Sequence, residues 1–146
     1  LWFSDYGIQL SRGIRALKVW LSFKEHGIEK YGRLAQQNIE QARYLEKLVD
    51  ATPQLERRAP VSLNIVCFRF LAEGMDDTAL NDFNQELLMR LHESGVAVPS
   101  YTTINGVYML RVCITNHRTQ FSDLDLFVSE VLKLGEALVA EIREQA

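Results

Sequence analysis

Arg111 is the side chain whose type fits its surroundings least. It interrupts Tyr108-Met109-Leu110-Arg111-Val112-Cys113-Ile114, an otherwise mostly apolar stretch. A guanidinium in such a strand needs an anion, because a buried unpaired charge costs several kcal/mol. Two arrangements meet that need: an internal pair with one of the chain's own acids, or a ligand carboxylate gripped by the bidentate fork. Arg12 and Arg15, three residues apart on one helix face, could meet an anion together or form a solvated basic face. His26 and His92 close predicted helices, where a cation is favoured. His117 lies in the loop Thr115-Asn116-His117-Arg118-Thr119, past a strand, where side chains can reach a site. Cys67 and Cys113 sit inside apolar strands, where a thiol is usually inert packing, and lack CxxC spacing. The three histidines show no metal spacing, so no metal is expected; there is no Gly-x-Gly-x-x-Gly and no phosphate loop. No serine has a defensible His and acid arrangement, which argues against a self-contained hydrolase.

The elements that must position these residues follow from periodicity and punctuation. Ile14, Leu17, Trp20 and Leu21 after Ser11 predict a helix from about Leu10 to His26, stopped by Gly27. A second helical stripe runs through Ile28, Tyr31, Ala35, Ile39, Ala42, Leu45 and Val49 and ends before Thr52-Pro53. A short strand at Leu55 to Arg58 precedes an alternating stretch, Val61 to Ile65, and the near-continuous apolar run Val66 to Phe70. The next helix begins near Asp76-Asp77 and stops at Gly95. Asn105-Gly106 between Tyr101 to Ile104 and Val107 to Ile114 predicts a hairpin on a type I′ turn. Ser122 opens the last helix, with Asp125 as its capping partner, Phe121 stapled to Leu126, and a buried stripe of Leu124, Val128, Val131, Leu138 and Ile142. The expected fold is α+β: a four-stranded antiparallel sheet with helices on one face, preceded by a helical hairpin. The best internal boundary is Ala51 to Gln54, dividing 1–51 from 52–146.

The chain has 146 residues, 47% hydrophobic and 24% charged, with a net charge of −3. That length supports one core. The charge balance argues against nucleic acid as a partner, since phosphate binding needs many cations. No apolar run suggests a membrane span. Two cysteines without a disulfide pattern suit a reducing compartment. The start, Leu1-Trp2-Phe3-Ser4-Asp5, has neither Met nor a basic leader region and reads as part of a longer chain, in which Trp2, Phe3 and Trp20 would be left partly uncovered on the fragment alone.

Several stretches, in order, carry a family resemblance. Tyr6-Gly7-Ile8-Gln9-Leu10-Ser11-Arg12-Gly13-Ile14-Arg15-Ala16-Leu17-Lys18-Val19-Trp20, then Val66-Cys67-Phe68-Arg69, then Gly106-Val107-Tyr108-Met109-Leu110-Arg111 resemble the carboxy-terminal part of the group II pyridoxal-phosphate-dependent amino-acid decarboxylases, aromatic-L-amino-acid branch. The resemblance implies the small, C-terminal domain of the aspartate-aminotransferase fold type in 52–146. It makes 1–51 the helical end of the large domain and connecting helix. It also implies a cytoplasmic homodimer that releases CO2 from an amino acid, an aromatic one in this branch. Pyridoxal 5′-phosphate would be held by a lysine following a histidine, and none of Lys18, Lys24, Lys30, Lys47 and Lys133 does so. By the resemblance this piece is inactive alone, has no catalytic residue of its own, and is completed by the N-terminal part of the enzyme. Leu10 and Ser11 would reach towards the neighbouring subunit's cofactor, and Arg111 would bind the substrate carboxylate. The alternatives are an acidic or diamino-acid substrate, or a non-catalytic dimerisation module.

Overall fold

The computed structural model describes residues 2–7 and 13–145. A single 3-10 turn at Phe3–Tyr6 precedes helices α1 (Arg15–His26) and α2 (Ile28–Asp50), strands β1 (Leu55–Arg57) and β2 (Ile65–Phe70), helix α3 (Asp77–Ser94), strands β3 (Ser100–Ile104) and β4 (Val107–Cys113), and helix α4 (Phe121–Gln145). The chain divides into two compact units, Leu1–Ala35 and Gln36–Ala146. The compact unit holding the sheet includes the second half of α2, from Gln36 on. The reason is packing: Gln41, Ala42, Leu45 and Val49 on the second half of α2 are all buried.

The sheet is antiparallel throughout, in the order β1-β2-β4-β3. Because strand side chains alternate, each strand splits its residues between two faces. Val66, Phe68 and Phe70 of β2 and Tyr108 and Leu110 of β4 join Leu87, Leu91, Phe127 and Val131 in the main core, so the helices cover that face. Cys67, Val107 and Met109 form a smaller cluster on the opposite face, backed by Ala59 and Ile65. The α+β architecture with helices on one face is the expected one.

The Asn-Gly signal works as chemistry requires. Asn105 and Gly106 both take positive φ, 52° and 79°, and Ile104 pairs with Val107 across them. Helix α3 has Asp76 as its N-cap, accepting from the Ala79 amide at 2.8 Å, and Gly95 in the left-handed conformation as its C-cap. Two asparagines then fasten α3 to the sheet. Asn84 accepts from the Phe70 amide at 2.7 Å and donates to the Phe70 carbonyl at 3.0 Å, while Asn81 accepts from the Tyr108 amide and donates to the Gly106 carbonyl, both at 2.7 Å.

Three expectations are corrected. The last helix starts one residue before Ser122, and its capping carboxylate is Asp123, which accepts from the Gln120 amide at 2.9 Å; Asp125 instead accepts from the Tyr44 hydroxyl at 2.6 Å. Phe121 packs edge-on against Tyr44, with ring centroids 5.0 Å apart, and Leu126 is exposed, so the Phe121–Leu126 staple is absent. Ile142 is exposed and Phe127 takes a place in the core in its stead. On α1, Leu17, Trp20 and Leu21 recur at helical spacing but are exposed, and the helix buries no residue. Trp2 and Trp20 are 81% and 55% exposed, as expected for them; the Phe3 side chain lies outside the described residues.

Candidate functional site

The hairpin register builds the site. Counting outward from Ile104 and Val107 sets Ser100 on β3 against Arg111 on β4, and β2 sets Cys67 against Arg111 from the other side. Val107 and Met109 belong to the face away from the helices, so Arg111, in phase with them, shares it. Arg111 is half-buried. Its Nη1 donates to Oγ of Ser100 at 3.3 Å, and the same hydroxyl donates to the Arg111 carbonyl at 3.1 Å.

No carboxylate pairs with Arg111 among the described residues, which removes the internal acid that its position left open. The contrast with its peers is physical. Arg57, Arg69 and Arg90, the other arginines not fully exposed among the described residues, are all bound by carboxylates: Arg57 by Asp50, Arg69 by Glu56 and Asp77, Arg90 by Glu86 and Glu141. Burial pushes the thiol of Cys67 up, against the pull of the Arg111 guanidinium, so the cysteine stays neutral and offers Arg111 no negative charge. Arg111 and Ser100 both line a cleft of about 590 Å3, with Val98 and Pro99 on one side and Thr115 and Asn116 on another. A half-buried cation without an anion, at the edge of a cleft, is suited to a carboxylate ligand.

The remaining candidates do not converge on it. Leu10, Ser11 and Arg12 lie outside the described residues, and Arg15 is exposed at the start of α1. His92 Nε2 sits 2.8 Å from the Pro99 carbonyl, where it braces the link from α3 to β3. His26 stands beside the Tyr31 ring, and His117, exposed, contributes its backbone carbonyl to Gln37 Nε2 at 3.2 Å. All five lysines are exposed and none lines the cleft, so these residues do not fit the task of holding pyridoxal phosphate. Among the described residues, no group of three His, Cys, Asp or Glu side chains gathers as a metal site.

Residues 3–71 match the model of the pyridoxal-dependent decarboxylase conserved domain. That stretch, just under half of the chain, is similar to the pyridoxal-dependent decarboxylase family. Phenylacetaldehyde synthase of Petunia hybrida is 32% identical over 131 residues, 85% of this chain and 26% of the relative. Aromatic-L-amino-acid decarboxylase of Bacillus atrophaeus is 31% identical over 135 residues, 92% of this chain and 28% of the relative. The chain therefore spans little more than a quarter of the relatives it matches. In fold, it superposes on the Oryza sativa TDC structure with PLP and tryptamine at a TM-score of 0.85 and 22% identity, covering 94% of this chain and 30% of that one. The glutamate decarboxylase domain of a Vibrio parahaemolyticus diaminobutyrate-pyruvate transaminase and L-2,4-diaminobutyrate decarboxylase gives 0.74 and 26%, covering 84% and 26%. The sheet with its helices thus shares the architecture of part of these decarboxylase structures, which have the aspartate-aminotransferase-like fold.

Two residues of this neighbourhood carry roles that the sequence reading did not assign. Ser100 was legible in principle, since a two-residue turn fixes the register that sets it against Arg111. Arg69, only 2% exposed, is held by its ion pairs, and its significance depends on β1 pairing with β2.

Proposed function

We propose that this chain is the C-terminal part of a pyridoxal-phosphate-dependent carboxy-lyase that releases CO2 from an aromatic L-amino acid, and that Arg111 binds the substrate's carboxylate. One observation carries the reading: a half-buried guanidinium that pairs with no carboxylate among the described residues, at the edge of a cleft whose one lining acid, Asp123, accepts from the Gln120 amide. Relatives named for aromatic amino acids favour that substrate class, among them the tyrosine decarboxylases of Petroselinum crispum. Arg111 holds and orients the carboxylate. It does not accelerate the reaction by gripping hard, because the carboxylate's charge disappears as CO2 departs; what it supplies is the direction of the scissile bond.

In this reading the cofactor, pyridoxal 5′-phosphate, is held by a lysine in the N-terminal part of the complete enzyme, and the 146-residue piece alone is inactive. Segment 1–51 is the helical end of the large domain and 52–146 the small domain. The enzyme works as a homodimer, with Leu10 and Ser11 turned towards the neighbouring subunit's cofactor, in the reducing cytoplasm that suits two free cysteines, Cys67 buried and Cys113 exposed.

The test is made in the complete enzyme. Arg111→Ala lowers CO2 release from L-tyrosine, L-DOPA or L-tryptophan by about tenfold or more, the cost of losing a bidentate carboxylate contact. Unchanged turnover takes Arg111 out of the site. Turnover of glutamate or diaminobutyrate in place of the aromatic acids moves the substrate class, and a complete chain with no decarboxylase activity leaves the dimerisation-module reading.

A further inference from the structure

Arg111 has a single polar side-chain partner among the described residues, and that partner contacts it twice. Ser100 Oγ accepts from Nη1 at 3.3 Å and donates to the Arg111 carbonyl at 3.1 Å. We propose that Ser100 is a positioning residue for decarboxylation: it aims the Arg111 guanidinium, and through it the substrate carboxylate. The inference rests on the reading of Arg111 given above.

A serine hydroxyl has one proton and two lone pairs. Committing the proton to the Arg111 carbonyl turns the lone pairs towards the guanidinium of the same residue, so the hydroxyl's rotation is set by Arg111's own backbone. The neighbouring strand thereby restrains a long side chain whose rotamer freedom is otherwise large. A second property follows from the charge of the partner. Arg57, Arg69 and Arg90 are restrained by carboxylates, which direct the guanidinium and neutralise it together. A hydroxyl directs without neutralising. Arg111 keeps its full positive charge, and its Nε and Nη2 have no acceptor among the described residues, leaving donors for an incoming carboxylate. Ser100 opens β3 at the cleft that Arg111 borders, so hydroxyl, guanidinium and ligand space are contiguous.

Since the reaction discharges the carboxylate, a loose guanidinium costs alignment more than binding. In the complete decarboxylase Ser100→Ala therefore lowers kcat about fivefold while KM changes less than about twofold. Ser100→Thr, which keeps the hydroxyl, restores kcat to within about twofold, whereas the near-isosteric Ser100→Val does not. A thermal melt of each variant shows that the fold is retained. The deciding measurement is the double-mutant cycle: in an Arg111→Ala background, Ser100→Ala has no further effect, because its action runs through Arg111. Equal losses from Ser100→Ala in both backgrounds, or full activity of Ser100→Val, overturn the positioning role while Arg111 stands. If Arg111→Ala alone leaves turnover intact, the reading of Arg111 itself falls, and Ser100 falls with it.

Discussion

Two arginines on one sheet face show how context decides what a charge does. Arg69 and Arg111 both interrupt apolar strands, but Arg69 lies opposite Glu56 on β1 and meets Asp77 at the start of α3, at 2.8 Å in each case. Its charge is satisfied internally and its role is structural. Removing it leaves Glu56 with its desolvation and without its buried partner, and the cavity adds to the cost. Arg69→Ala is thus expected to lower the free energy of unfolding by about 3 kcal/mol, and Arg69→Met by less because it refills the stem volume. Urea unfolding followed by circular dichroism measures both; equal stability of Arg69→Ala and the parent would show the ion pairs to be incidental. Arg111 was legible from sequence as a cation in an apolar strand, because the Asn-Gly turn identifies that strand; that Ser100 and Cys67 rather than an acid stand across from it emerges only from the sheet order. Arg69 was not, since its partners come from a three-residue strand and from the first turn of a helix, contacts that exist only once β1 and α3 have been placed.

At the scale of elements, local chemistry was readable where a residue acts on its own backbone. Asp76 and Gly95 bound α3, and Asn105-Gly106 closes the hairpin, with no help from distant contacts. Helix α4 was harder, because Ser122 is a good cap in isolation, yet Tyr44 of α2 takes Asp125 and packs on Phe121, and the helix begins earlier. Gly135 illustrates the same limit. Inside a helix, glycine is normally a weakness, costing about 1 kcal/mol relative to alanine. Here a Cβ at position 135 would collide with the ring of Phe70, which itself stacks on Phe83 at a centroid distance of 5.4 Å. The glycine lets α4 lie against β2. Gly135→Ala should therefore destabilise by about 1–3 kcal/mol, despite the gain in helix propensity, because the overpacked ring must shift. A stabilised Gly135→Ala variant, read from the same urea transitions, would mean that Phe70 moves freely and that the close approach is not needed.

Across the whole molecule, ion pairs join elements that the hydrophobic core alone does not fasten at the surface, and they make stability depend on acid. Arg57 hydrogen-bonds Asp50 and holds its carboxyl below the usual 3.8, linking the end of α2 to β1. Burial pushes Glu56 up, but hydrogen bonds from Arg58 and Arg69 outweigh it and hold it below the usual 4.5. Arg90 does the same for Glu141 and thereby clamps α3 to α4 through two bonds of 2.7 and 2.8 Å. The sign is the same in all three cases: a carboxyl with a depressed folded pKa binds fewer protons folded than unfolded. Its stabilisation is complete above the unfolded value and is lost as pH falls through the folded one. These three pairs add no pH dependence between neutral and about pH 5, and below about pH 4 the melting temperature should fall as they are protonated. Salt separates them further. The exposed Arg90–Glu141 clamp is screened at high ionic strength, whereas Arg69, being buried, keeps most of its hold on Glu56. The check is a set of thermal melts from pH 7 to pH 3, at low and high salt, on the parent and on Glu56→Gln. If the variant loses its stability deficit only below pH 4, Glu56 is the carboxylate being protonated; a parent whose acid transition is unchanged by Glu56→Gln places the acid sensitivity elsewhere in the fold.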